Sequence, residues 1–199
     1  MKQIKHLILS FCCTLSAFAQ SIPVEVVDID FNNLKDDWVQ MVIEVRSNGN
    51  PAEDARNDRF VDNIKVMAYL AYESNSETKK FDFYKAQAEI ISLEQGKQKK
   101  VHFFMPGVVI DRDRLPKTPP YYFVALEVDG RVMPLSKDAY SQGTLNQDSL
   151  RSMKQKADTD SESNDFVLMQ YYHVPRMKLV EARLREDDLA PLLIRQPLE

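Results

Sequence analysis

Tyr121-Tyr122-Phe123-Val124-Ala125-Leu126-Glu127-Val128, then Asp129-Gly130, then Arg131-Val132-Met133-Pro134-Leu135, is the stretch that decides the fold. Its first arm is aromatic and β-branched, the composition of a strand. Asp-Gly between two such runs is the strongest short-range hairpin signal, because a two-residue type I′ turn needs positive φ at both central positions. Apolar residues occupy both parities of the first arm. Both of its faces should therefore be buried, and it is expected as a central strand of a β core.

The segments upstream supply partners for that strand. Val101, Phe103 and Met105 alternate until Pro106-Gly107 ends the run, and Glu94-Gln95-Gly96-Lys97 before it is a turn. Phe81 to Ser92 places Phe81 and Phe83 on one parity and Tyr84, Ala86, Ala88 and Ile90 on the other. A strand with a bulge near Phe83 accounts for the switch; a helix from Lys85 to Leu93 is the alternative, since Ala, Gln and Glu favour helix. The surrounding strands favour strand. Phe60 to Tyr72 reads as a long strand with Ile64, Val66, Ala68 and Leu70 on one face and Tyr69 and Tyr72 on opposite faces. Ser47 to Arg59 is turn and loop chemistry. Trp38 to Arg46 alternates Val39, Met41, Ile43 and Val45 against Gln40, Glu44 and Arg46, giving one core face and one wet face. Pro23 to Phe31 changes parity within a run of β-formers, as a bulged edge strand would.

Seven strand-like runs separated by turn signals have the spacing of an all-β sandwich, with no βαβ rhythm and no internal repeat. Residues 20–140 form the expected sandwich core. Residues 141–199 form an extension of different character. Within it Leu150, Met153 and Ala157 share a helical face, so Gln147 to Asp158 is expected as a short helix. Phe166 to Val174 is β-like. Met177, Val180 and Leu184 form a helical stripe, although a last strand fits there as well.

Residues 1–19 combine a basic start, an apolar run from about Leu7 to Phe18 and the small residues Ala17 and Ala19, the parts of a secretory signal peptide. Both cysteines, Cys12 and Cys13, lie within it. The mature chain then has no disulfide and no thiolate site, and it must gain its stability from burial. Losing Lys2 and Lys5 moves the formal charge from −4 to −6. Such a chain is a poor match for a phosphate backbone, so nucleic acid is set aside, and no later segment approaches a membrane span.

No catalytic pattern emerges. The histidines His102 and His173 sit in apparent strands without metal-ligand spacing. Asp158, Asp160 and Glu162 alternate but lack the central glycine and the terminal bidentate acid of an EF-hand, so a solvated acidic loop is expected. Asp111 and Asp113, flanked by Arg112 and Arg114, read as a surface ion-pair cluster rather than a glycosidase pair. All five glycines are isolated, which removes both a nucleophile elbow and a phosphate-cradling loop. No metal or cofactor is called for. The aromatic surplus is the strongest binding feature: Tyr69, Tyr72, Tyr121, Tyr122, Tyr171 and Tyr172 are candidate contacts for protein or sugar, their structural alternative being core packing with the hydroxyl at solvent.

The whole pattern resembles an immunoglobulin-like β-sandwich. More narrowly, Pro23-Val24-Glu25-Val26-Val27-Asp28-Ile29-Asp30 with the Trp38 strand resembles exported proteins encoded beside type IV pilus-like assembly genes in verrucomicrobial gut bacteria. The resemblance implies an immunoglobulin-like fold and a role near a surface appendage; it supplies no site residues. Trp38 lacks the cysteine pair that packs on the tryptophan of antibody domains. The expectation is a non-enzymatic periplasmic or cell-surface module that contacts an envelope or pilus-associated protein through a strand edge or an aromatic patch. Carbohydrate or mucin binding is the alternative, and a hydrolase the more distant one.

Overall fold

The structure is a computed structural model that describes residues 22–52, 55–75, 80–141, 146–159, 164, 166–184 and 193–194. The N-terminal segment expected as a signal peptide, positions 160–163 and most of the tail lie outside these residues.

Two antiparallel sheets face each other. One contains β1 (Val24–Asn33), β2 (Val39–Ser47), β5 (Gln98–Met105) and β8 (Met169–Gln170) in the order β1-β2-β5-β8. The other contains β3 (Phe60–Asn75), β4 (Lys80–Glu94), β6 (Tyr121–Val128), β7 (Arg131–Val132) and β9 (Leu193–Ile194) in the order β7-β6-β3-β4-β9. Read as strands A, B, C, C′, E, F and G, β1 to β7 give the sheets A-B-E and G-F-C-C′ of the immunoglobulin fold. Among the described residues the α-helices with defined bounds are α1 (Gly107–Asp113), α2 (Gln147–Thr159) and α3 (Arg176–Glu181).

Alternation builds the core. Met41, Ile43 and Val45 from β2 and Val101, Phe103 and Met105 from β5 meet Ile64, Val66 and Leu70 of β3 and Val124 and Leu126 of β6, all buried. Each large side chain withdrawn from water contributes about 1.5–3 kcal/mol, and the described residues, which include no cysteine, rest on that burial. The Asp129-Gly130 turn closes the β6–β7 hairpin with φ of 47° and 77°, the double positive φ that the dipeptide announces. β6 is not the middle of its sheet, however. That place belongs to β3, which pairs with β4 along almost its whole length and with β6 on its other side.

The parity switch in β4 has a different cause from the expected bulge. Its register with β3 runs without interruption from Phe81 to Glu94, which also excludes a helix over Lys85 to Leu93. Tyr84, Ala88 and Ile90 face the sandwich, whereas Phe83 belongs to a second apolar cluster on the outer face. There Leu150, Met153 and Ala157 of α2 pack on Tyr69, Ala71, Phe83, Phe123 and Ala125. Both parities are apolar because both faces are covered. The bulge expected in β1 is present, between Val26 and Asp28. Together with Asp28 and Asp30 it blunts this sheet edge, and Ser136 Oγ donates a 2.7 Å hydrogen bond to the carbonyl of Val26.

Two segments depart from expectation. The connection after Pro106 contains α1, whose Gly107 is fixed by packing: a Cβ there would lie 1.7 Å from the carbonyl oxygen of Asp36 in the β1–β2 hairpin. Phe166 to Val174 is strand only at Met169–Gln170, where two residues pair with Phe104 and Phe103 before the chain turns into a 3-10 helix at Tyr171–His173. Apolar composition produced the strand signal, but the chain leaves β5 after Gln170. Along the β4 edge the amides of Asn164 and Gln170 donate to the carbonyls of Phe83 and Gln87, and β9 pairs with Glu89 and Ile90. Among the described residues, Asn164, Gln170, Leu193 and Ile194 thus meet that edge of the sandwich.

Candidate interaction surface

The six tyrosines do not form one patch. Tyr69 (3% exposed) stacks on Phe123 at 4.5 Å beneath α2, and Tyr72 (1% exposed) meets Tyr84 edge-on at 5.7 Å in the main core. Both are core residues, which corrects their reading as contact residues: each parity of β3 faces a covered side. Burial pushes the Tyr72 and Tyr84 phenols above their ordinary ionisation range. Tyr121 packs edge-on against Phe81, and Tyr122 against Phe31 at 5.0 Å. Tyr171, Tyr172 and His173 meet edge-on in succession, with ring separations of 5.4 and 4.6 Å, ahead of α3.

The remaining candidates resolve into ordinary surface chemistry. Arg112 grips Asp113 through two bonds of 2.7 and 2.6 Å, and this holds the Asp113 carboxyl below the usual range. Asp158 accepts from Lys154 one helical turn away and lies 3.7 Å from Lys85; Asp160 and Glu162 are outside the described residues. His102 is buried in β5 beside Gln40, while His173 is exposed. Among the described residues no group of three His, Cys, Asp or Glu is placed to hold a metal ion, and no helix is long and apolar enough to cross a membrane.

α3 is turned inside out. Lys178 is its buried residue at 9% exposed, whereas Met177 and Val180 are 77% and 65% exposed. An amphipathic helix ordinarily does the reverse. The Lys178 ammonium explains the inversion, because it reaches the Lys35 carbonyl at 2.6 Å, the Asp36 carboxylate at 2.7 Å and the Glu181 carboxylate at 3.5 Å. Three donors meet three acceptors. Glu181 also accepts from the backbone N–H of Lys35. This polar clamp on the β1–β2 hairpin fixes the rotation of a six-residue helix, and its apolar stripe is left facing water. The stripe is visible in the sequence; its outward direction is not, since the clamp joins residues 142 and 143 positions apart.

The sequence matches no protein-family model and no curated protein. Among solved structures the chain is similar to a crystal structure from Akkermansia muciniphila, a verrucomicrobial gut bacterium, with a TM-score of 0.59 and 11% identity over 89% of this chain and 95% of that one. At that identity the likeness establishes a shared fold, a mainly β sandwich with a small helical C-terminal region.

Proposed function

We propose that this protein is an exported, non-enzymatic module of the cell envelope that binds another envelope or pilus-associated protein, and that α3 makes the contact. One observation carries the reading: a helix clamped by a buried lysine while it presents Met177 and Val180 to solvent. Apolar side chains turned to water are costly for a solitary domain and favourable at an interface, where methionine and aromatic residues are enriched. The half-buried, edge-on pair Tyr171 and Tyr172 leads directly into α3 and extends the same segment. The Akkermansia neighbour supports the fold on which the reading depends, and the signal-like leader supports export.

The test is site-specific photocrosslinking. With a crosslinkable residue at position 177 in cells that express the full chain, a discrete adduct with an envelope protein is expected. The pair Met177→Asp and Val180→Asp should weaken binding of the purified partner by about tenfold or more. A partner that binds the double variant as tightly as the parent would overturn the assignment of the contact to α3. The lack of any adduct in the envelope fraction would overturn the function.

A further inference from the structure

A cleft of about 330 Å³ opens on the outer face of the first sheet beside the end of α3. Val42 and Leu184 give it apolar walls, Asn32, Gln40 and His102 a polar one, and Lys100 and Arg183 contribute cations. None of the described lining residues carries a carboxylate, in a chain where Asp and Glu number 30 against 26 Lys and Arg. Two acids of this sheet neighbour lining residues. Asp30 faces Val42 in the register, and Glu44 lies 4.0 Å from Lys100.

The polar wall is ordered. Asn32 Nδ2 donates to Gln40 Oε1 at 3.4 Å, which turns the Gln40 Nε2 toward His102 Nδ1 at 3.1 Å. Asn32, Gln40 and His102 thus form a polar wall whose rotamers are set by one another. Gln40 and His102 are both buried. Arg183 adds a second observation. Its backbone sits at φ 53°, a left-handed conformation that costs a non-glycine residue energy, and its guanidinium forms no ion pair with any other described residue.

We propose that this cleft binds a small organic carboxylate. The guanidinium of Arg183 and the ammonium of Lys100 would hold the carboxylate by charge-assisted hydrogen bonds, and the apolar part of the ligand would lie on Val42 and Leu184. The volume is at the lower end of ligand pockets, which suits a molecule of amino-acid or single-sugar size. The site is independent of protein contact at Met177 and Val180.

NMR titration of the mature chain tests it, with N-acetylleucine representing a peptide terminus, glucuronate a sugar acid and N-acetylleucinamide the neutral control. Saturable shifts of the Val42, His102 and Leu184 amides are expected with at least one of the two acids and not with the amide; whichever acid binds identifies the source of the carboxylate. Arg183→Gly relieves the backbone strain while removing the charge, so the fold is retained, and affinity should fall about tenfold to a hundredfold, the worth of a charge-assisted bond. Arg183→Lys should recover part of it. Equal shifts with the amide, no shifts with either acid at millimolar concentrations, or undiminished binding by Arg183→Gly would each overturn the proposal.

Discussion

α2 and α3 are both amphipathic, and they are held by opposite means. α2 lies on the second sheet with Leu150, Met153 and Ala157 inward, so its attachment is apolar and its wet side carries Lys154 and Asp158. α3 lies on the β1–β2 hairpin with Lys178 inward, so its attachment is ionic and its wet side carries Met177 and Val180. Hydrophobic burial is short-ranged, additive over area and largely indifferent to pH, so α2 acts as a further layer of the core. An ion pair with one exposed member is weak and depends on protonation and salt, so α3 is a presented element more than a structural one.

The largest effect should come from α2. Leu150→Ala removes a buried side chain from the cluster around Tyr69 and Phe123, and a loss of about 2–5 kcal/mol is expected in urea unfolding. A loss below about 1 kcal/mol would erase the contrast, because α2 would then be as loosely attached as its counterpart.

A smaller effect belongs to the clamp. The hydrogen bond from Lys178 holds the Asp36 carboxyl below its ordinary range. A carboxyl depressed in the folded state stabilises above its unfolded pKa and loses that contribution as pH falls through the folded one. Backbone order parameters of Met177 to Glu181 should therefore drop between pH 7 and about 3, the low end of the carboxylate range, while those of Leu150 to Ala157 hold steady. Asp36→Asn should loosen α3 already at neutral pH. Equal loosening of both helices in acid would show that the clamp is not what distinguishes them.

Least affected of all should be the global stability of Met177→Ser and Val180→Ser, expected within about 0.5 kcal/mol of the parent in thermal melts, since neither residue is buried. A larger loss would place these side chains in the fold rather than at an interface.

Much of the architecture could be read from residue order. The alternation in Val39 to Val45 and in Val101 to Met105, the bulge beside Val27, the Asp129-Gly130 turn and the helical face of Leu150, Met153 and Ala157 are local patterns, and they appear where periodicity places them. Composition was less informative where a neighbour decides. Phe166 to Val174 has strand-like residues but finds a ladder for only two of them, and α1 is hidden in a run of Val, Ile, Asp and Arg whose helical start depends on Gly107 lying against Asp36. The aromatic surplus was ambiguous for a similar reason. Tyr69 and Tyr72 occupy opposite parities of β3, and whether either reaches water depends on what covers each side.

By itself, then, the amino-acid order determined the seven strands of the sandwich core and their turns, because each of these rests on chemistry spanning a few neighbouring residues. Only the tertiary structure decided that β6 and β4 are covered on both faces, that Lys178 rather than Met177 is buried, and that Arg183, Lys100 and His102 share one cleft. Those outcomes depend on pairings between residues far apart in the chain, and no local period encodes the partner that a side chain will meet.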